Sequence, residues 1–218
     1  MSRFESITIR EVESSDLETF YEHQLDPEAI RMAAFVCEDP KDKVAFDAHW
    51  DKILNSSQIT QRTIVAEGQV AGHISCYPHG ENIEVTYWLG REFWGRGLAT
   101  QALNRMLHLV VDRPIFARAA TDNIGSIRVL QKCGFKIIGT NKDFANGRGK
   151  ETEEYILRLD VDQPAHSNAK SIPRARLLCT WAIRSKVNSQ PTRTMGRRHE
   201  GARYLAELRT RKNSGERA

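Results

Sequence analysis

No apolar run in the sequence approaches the ~20 residues that span a bilayer. The opening segment MSRFESITIREVESSDLETF scatters charge where a signal peptide needs an unbroken apolar stretch. A membrane-spanning or secreted protein is therefore not expected. Cysteine is scarce as well. Cys37, Cys76, Cys133 and Cys179 lie far apart with no CxxC pair, a spacing that suggests neither a metal site nor a disulfide framework and points to a reducing cytoplasm.

What remains is ordinary in amount and uneven in distribution. Of 218 residues, 40% are hydrophobic and 28% charged, enough for one domain with a buried core plus an appendage. Residues 161–218 hold 13 Lys or Arg against 4 Asp or Glu, a charge of +9, which against the whole chain's +4 leaves −5 for residues 1–160. The two parts face different physical demands. After Asp160 come Pro164, Ser167, Asn168, Ser171 and Pro173, linker composition, then two short amphipathic stretches, Arg176–Val187 and Arg197–Lys212. Neither can build a core alone, so residues 161–218 read as a basic extension, disordered or weakly helical.

Residues 1–160 alternate strand and helix patterns. Ser6–Val12 alternates apolar and polar positions, and Ser14-Ser15-Asp16 offers N-caps for a helix to about Gln24. Asp42–Leu54 places Val44, Trp50, Ile53 and Leu54 at helical spacing. Runs at Thr63–Ala66, Val70–Tyr77 and Ile83–Leu89, separated by Glu67-Gly68-Gln69 and by Pro78–Asn82, make an antiparallel meander. From Gly97 to Val111 the period becomes helical, with Leu98, Ala102, Leu103, Met106, Leu107 and Val110 on one face, until Pro114 blocks continuation. Ile115–Ala120 reads as a strand, Asn123–Lys132 as a helix with Gly134 at its left-handed C-cap, and Phe135–Gly139 and Thr152–Leu159 as strands around the loop Asn146–Gly149. The class is α+β: a mixed, mostly antiparallel sheet flanked by helices, with one strand-helix-strand crossover through Gly97–Val111.

Chemistry concentrates where the meander enters that helix, at Tyr87–Thr100, YWLGREFWGRGLAT. A glycine-rich strand-to-helix turn points several backbone N–H groups outward beside the positive end of the helix dipole, a socket for an anion such as a diphosphate. The same two glycines also suit a plain tight turn. The P-loop pattern fails because Gly97 is followed by Leu98-Ala99-Thr100, with no Gly-Lys-Ser/Thr. The dinucleotide fingerprint fails because Gly95-Arg96-Gly97 is followed by Thr100 and preceded by an antiparallel meander.

Together, the meander, this loop and the later Asn123–Phe135, NIGSIRVLQKCGF, resemble the GNAT superfamily of N-acetyltransferases over about residues 6–160. The ribosomal-protein alanine acetyltransferase branch, in which YW, WGxGxAT and NxxSxxVLxKxGF follow in this order, is the one the chain looks most like. The resemblance implies acetyl-CoA as co-substrate and a primary amine as acceptor, either a protein N-terminal α-amine or a small molecule. It implies that Gly95, Arg96, Gly97, Leu98, Ala99 and Thr100 hold the diphosphate through backbone N–H groups. Trp88 and Leu89 would pair their backbone with the pantetheine arm, which Asn123 and Ser126 contact from the other side. Trp94 stands where the superfamily usually has Gln or Arg, a change that backbone binding should survive.

By the same resemblance, a neutral amine attacks the thioester, and a backbone N–H near Leu89 supports the oxyanion, a donor of a kind worth ~2.7–4 kcal/mol. Deprotonating a lysine near pKa ~10.4 at pH 7 costs about 4.6 kcal/mol, against about 1.4 for an α-amine near ~8. Glu84, on the strand leading to the loop, is the candidate base, with a solvated strand carboxylate as the plain alternative. Many members carry Tyr where this chain has Leu130, so Ser126 is the candidate for protonating the thiolate, or else a hydroxyl at a helix start. Cys133 suits a small core residue better than an acyl carrier, and His73 and His79 suit strand and turn. The acceptor-shaping parts would be the first two helices and residues 143–151, with Glu38, Asp39 and Glu84 suiting a cationic amine. Two other readings are a non-catalytic acyl-CoA-binding protein and a ribosome- or nucleic-acid-associated protein acting through the basic extension.

Overall fold

The computed structural model describes residues 7–161. The chain runs β1 (Ile7–Arg10), α1 (Asp16–Gln24), α2 (Pro27–Ala33), α3 (Lys43–Leu54), β2 (Thr60–Ala66), β3 (Gln69–His79) and β4 (Asn82–Leu89). A single 3₁₀ turn, Arg91–Phe93, leads into α4 (Leu98–Leu109), followed by β5 (Ile115–Ala120), α5 (Ile124–Lys132), β6 (Lys136–Ala145) and β7 (Lys150–Leu159). One seven-stranded sheet has the order β1-β2-β3-β4-β5-β7-β6, antiparallel throughout except for β4 beside β5, the pair joined through α4. The α+β class and the meander are as the sequence predicts. The basic extension lies outside the described residues. Among the described residues no helix is long and apolar enough to cross a membrane.

Local chemistry explains the element boundaries. Glu67 and Gly68 both take positive φ (54° and 77°), the two-residue hairpin turn whose twist matches the strands it joins. Asp26 caps α2 by accepting from the N–H groups of Glu28 and Ala29, and Pro27 occupies its first turn, a start signal the periodicity alone did not reveal. Gly134 takes φ 92° after α5, as its C-cap role demands. On α1, Ser15 is the N-cap without a side-chain bond, and the neighbouring Asp16 accepts from Arg10 (2.6 Å) and Thr63 (2.6 Å).

Apolar cores cover both faces of the sheet. Against one face, α4 and α5 bury Leu98, Ala102, Leu103, Met106, Ile127 and Leu130 over Ile64, Ile74, Val85, Ile115 and Leu157. Against the other, Phe20 of α1 packs with Phe46, Trp50 and Ile53 of α3. The buried stripe of α3 is thus Phe46, Trp50 and Ile53. Val44, assigned to that stripe by spacing, is 79% exposed.

Gly72 on β3 fixes where β4 lies. A Cβ there would meet the Trp88 carbonyl oxygen at 2.0 Å and Leu89 Cα at 2.9 Å, so only glycine allows the two strands to approach this closely. The β2–β3 register shifts at the same level, between Ile64 and Val65.

Candidate active site

β4 and β5 pair only at Ile83 with Ile115 and Glu84 with Phe116, although the strands continue to Leu89 and Ala120. The sheet therefore forks in its middle. Main-chain groups alternate sides along a strand. Gly90 N–H donates to Ala71 of β3 and the Trp88 carbonyl also faces β3, so the main-chain groups of Tyr87 and Leu89 face the fork. That leaves an open strand edge in the centre of the molecule, the arrangement that accepts an extended ligand as an added strand.

Around this edge is a cavity of about 510 Å³. β4 and the loop contribute Tyr87, Trp88, Leu89, Trp94, Gly95, Gly97, Leu98, Ala99 and Thr100, α5 and its cap contribute Asn123 and Ser126, and α2 contributes Ala29, Met32 and Ala33. Gly95 (φ 73°) and Gly97 (φ 77°) are left-handed with nothing within 4 Å of a Cβ position, so the backbone is bare there. Gly97 is the N-cap of α4 and has no side chain to cap it, leaving the first-turn N–H groups available to an anion. Bare N–H groups, an open strand edge and a cavity joining them fit a diphosphate linked to an extended arm. Trp94, at the unusual position, donates its indole N–H to the Leu89 carbonyl (2.9 Å), which occupies that acceptor and leaves the Leu89 N–H as the donor of that residue toward the fork.

The remaining sequence candidates are placed as follows. Arg96 does not line the cavity; its guanidinium pairs with Glu67 (2.9 Å) and lies over the Phe93 ring. Asn123 does line it, but both ends of its amide are engaged, accepting from Ser126 N–H (3.0 Å) and donating to the Met32 carbonyl (3.0 Å). Ser126 Oγ lies 2.8 Å from the Tyr87 hydroxyl. Burial raises the Tyr87 phenol well above its usual range, so it stays protonated at working pH. Sequence reasoning looked for a tyrosine at Leu130 and overlooked this one, which reaches Ser126 from β4. Cys133 is half-buried, its thiol 3.7 Å from the Thr100 carbonyl and pushed up to about 11 by burial, which disfavours the thiolate. His73 is buried between Phe20 and Trp50, and His79 ends β3.

Glu84 is not a solvated strand carboxylate. It is 2% exposed, paired with Arg118 Nε (2.9 Å) and accepting from the Tyr77 hydroxyl (3.1 Å). Arg118 lies on β5 just past the last β4–β5 pair, and its Nη1 also reaches Glu154 of β7 (3.5 Å). Asn141 of β6 donates to the same Glu154 oxygen at 3.4 Å. Burial pushes the Glu154 carboxyl up to about 7, Arg118 opposing and Glu84 adding to the rise. A buried group of two carboxylates and one guanidinium thus reaches from Glu84, at the base of the fork, across β5 to Glu154, which pairs with Ala120. Only Glu84 was visible in the sequence, as a residue on the right strand; no local pattern signals Arg118 or Glu154.

Over the fork, α2 and the residues after it are latched to the β6–β7 loop. Gly147 N–H donates to the Ala34 carbonyl (2.9 Å), Asn146 to that of Val36 (2.9 Å), and Arg148 to that of Arg31 (3.0 Å) while gripping Asp122 with two bonds of 2.8 Å. A Cβ on Gly147 would meet the Ile30 carbonyl at 2.5 Å. Ala34 itself has φ 63° and ψ −59°, with Phe35 N–H bonding the Ala33 carbonyl (2.7 Å), a strained γ-turn held by this latch.

Comparison with known proteins agrees with this geometry. An uncharacterized N-acetyltransferase p20 of Bacillus licheniformis is 24% identical over 170 residues, covering 71% of this chain and 93% of that one. Among solved structures, the spermidine N-acetyltransferase of Vibrio cholerae, in complex with CoA and spermine, superposes with a TM-score of 0.61 at 16% identity, covering 71% of this chain and 95% of that one. The ribosomal-protein-alanine N-acetyltransferase of Brucella melitensis gives 0.61 at 20% identity, covering 71% and 99%. At such identities these structures show a shared fold. Residues 6–136, more than half of the 218, match the family model of the acetyltransferase (GNAT) domain, and the chain belongs to the GNAT family of acetyltransferases.

Proposed function

We propose that the protein transfers the acetyl group of acetyl-CoA directly to a primary amine. The observation that carries this reading is the open edge of β4, with its Tyr87 and Leu89 main-chain groups in one cavity with the uncapped start of α4 and the Ser126 hydroxyl. Acetyl-CoA, when bound, supplies an activated thioester. Gly95 to Thr100 hold its diphosphate, and the edge of β4 pairs with its arm. Leu89 N–H, facing the fork, supports the negative charge that develops on the carbonyl oxygen, and the Trp94 indole fixes the orientation of that peptide.

Ser126, hydrogen-bonded to the Tyr87 hydroxyl, offers a hydroxyl proton to the departing sulfur. Glu84 and the groups paired with it supply the carboxylate environment for the amine proton. The acceptor enters beneath α2 and the β6–β7 loop. A protein N-terminal α-amine, of the kind acetylated by the ribosomal-protein alanine branch, asks least of the base, at about 1.4 kcal/mol for deprotonation near pH 7. A polyamine is the small-molecule alternative, as acted on by the Vibrio cholerae relative.

The test is release of CoA from acetyl-CoA by purified protein offered Ala-initiated peptides, spermidine and aminoglycosides, with acetylated products identified by mass spectrometry. Release with the peptides alone establishes the α-amine reading. Tight acetyl-CoA binding without release for any amine replaces the enzyme reading with that of an acyl-CoA-binding protein.

A further inference from the structure

We propose that Arg128 and Lys132 of α5 hold the phosphate monoester on the ribose of acetyl-CoA, and so select that donor over one that ends at the diphosphate. The proposal rests on the acetyltransferase reading above and deepens its account of the donor.

Charge is the first observation. Residues 1–160 carry a net −5, yet the residues lining the cavity include two cations, Arg128 and Lys132, and no Asp or Glu. Both are exposed, and among the described residues neither side chain is engaged in an ion pair. Other surface arginines are treated differently, since Arg31, Arg62, Arg91 and Arg148 each face a carboxylate. On α5 itself no residue is acidic, and the two cations stand at i and i+4, where like charges repel. The negative end of the helix dipole favours Lys132 in the last turn and gives nothing to Arg128 at the middle. An anion in the cavity supplies the partner that the fold withholds.

The direction of α5 says which anion. Its start is tied to the fork, where Ser126 Oγ lies 2.8 Å from the Tyr87 hydroxyl. Its end is tied to the cradle, where the Cys133 thiol lies 3.7 Å from the carbonyl of Thr100 in the first turn of α4. The helix therefore runs from the end of the cavity where the thioester reacts to the end where the diphosphate is held, and Lys132 directly precedes the second contact. Bare N–H groups from Gly95 to Thr100 already serve the diphosphate. Acetyl-CoA has one more phosphate, on its ribose, beyond the diphosphate as seen from sulfur. That group carries a charge of about −1.5 to −2 at neutral pH and three acceptor oxygens, which a guanidinium and an ammonium meet with charge-assisted hydrogen bonds. An exposed pair of cations suits the outer end of the ligand.

Calorimetric titration of the full-length protein with CoA and with dephospho-CoA, which keeps the arm and the diphosphate, tests this without turnover. The wild type should bind CoA about 10-fold more tightly, as two solvent-screened charge-assisted contacts predict. Replacing both cations, Arg128→Gln with Lys132→Gln, should remove that preference by weakening CoA alone, leaving dephospho-CoA within about twofold of its wild-type affinity. Arg128→Lys should keep part of the preference, because the charge stays and the planar fork is lost. Salt at about 0.5 M should shrink the preference in the wild type. Equal losses for both ligands in the double variant overturn the proposal and assign the cations to the diphosphate. Equal wild-type affinity for the two ligands overturns it as well. A wild type that prefers CoA but releases none from acetyl-CoA with any amine removes the acetyltransferase reading and leaves this proposal standing.

Discussion

The two sides of the fork are built from opposite materials. Toward α4 and α5 the cavity is lined by backbone, glycines, the neutral hydroxyls of Tyr87 and Ser126, and the solvent-exposed cations Arg128 and Lys132. Toward the base of the fork, Glu84, Arg118 and Glu154 bury full charges that reach across β4, β5 and β7. Backbone N–H groups bind an anion without titrating and at little desolvation cost. Buried charges are expensive, and they are kept where their protonation does something. Under the proposed function, the α4–α5 side serves as a rigid cradle for the cofactor and the buried charges handle the acceptor's proton.

The sharpest test of that contrast is Arg118→Met. It leaves two buried carboxylates with no counter-charge and should cost about 3–5 kcal/mol in urea unfolding near neutral pH. Adding Glu84→Gln should recover a large part of the loss. A single variant as stable as wild type would show that the charges are well solvated, and the contrast would collapse. Next in size, Ser126→Ala should lower kcat about 100-fold while KM for acetyl-CoA changes little, because the hydroxyl matters only once sulfur carries charge. Tyr87→Phe should follow the same pattern with a smaller loss, as it removes only the hydroxyl partner of Ser126.

Glu154 yields a third prediction through stability alone. Its folded carboxyl holds the proton to about 7 while the unfolded one releases it near 4.5, so the folded state binds more protons between those values. Stability from this group is thus full below the unfolded value and is lost as pH rises to about 7. Glu154→Gln escapes that loss. Relative to wild type, its urea-unfolding free energy should move in its favour by about 2 kcal/mol between pH ~5 and pH ~8. A pH-independent difference would place the proton elsewhere.

The same contrast explains what could be read in advance. Cofactor-side residues lie in two continuous segments, Tyr87–Thr100 and Asn123–Phe135, because a turn and two helix starts are local structures with local sequence rules. The antiparallel meander was equally legible, from alternation and turn residues. The proton-handling cluster was not. Arg118 and Glu154 read as polar positions on ordinary strands, and they meet only because β5 lies between β4 and β7 in the sheet order. Likewise Tyr87 could not be linked to Ser126, 39 positions away, until β4 was set against α5. Long-range register is what strand patterning omits, and the buried charges depend on it. Helix α2 is a different failure, since Asp26-Pro27 did announce it, but seven residues are too few to show a period.

The smallest effect returns to the cradle. Gly97 holds φ 77° at the start of α4, and a Cβ there would meet nothing within 4 Å. Gly97→Ala therefore pays backbone strain without a steric clash, and should cost about 1 kcal/mol in unfolding free energy. Its cost to binding has a different cause. Relief of the strain would rotate the first N–H groups of α4, and the added methyl would stand where a diphosphate approaches. CoA affinity measured by calorimetry should fall several-fold, while affinity for a pantetheine fragment without the diphosphate stays the same. The pH dependence of unfolding stability that Glu154 sets should not change either, because backbone and buried charge are separate devices on the two sides of one fork. A change in that dependence would mean that the two sides are coupled through β4.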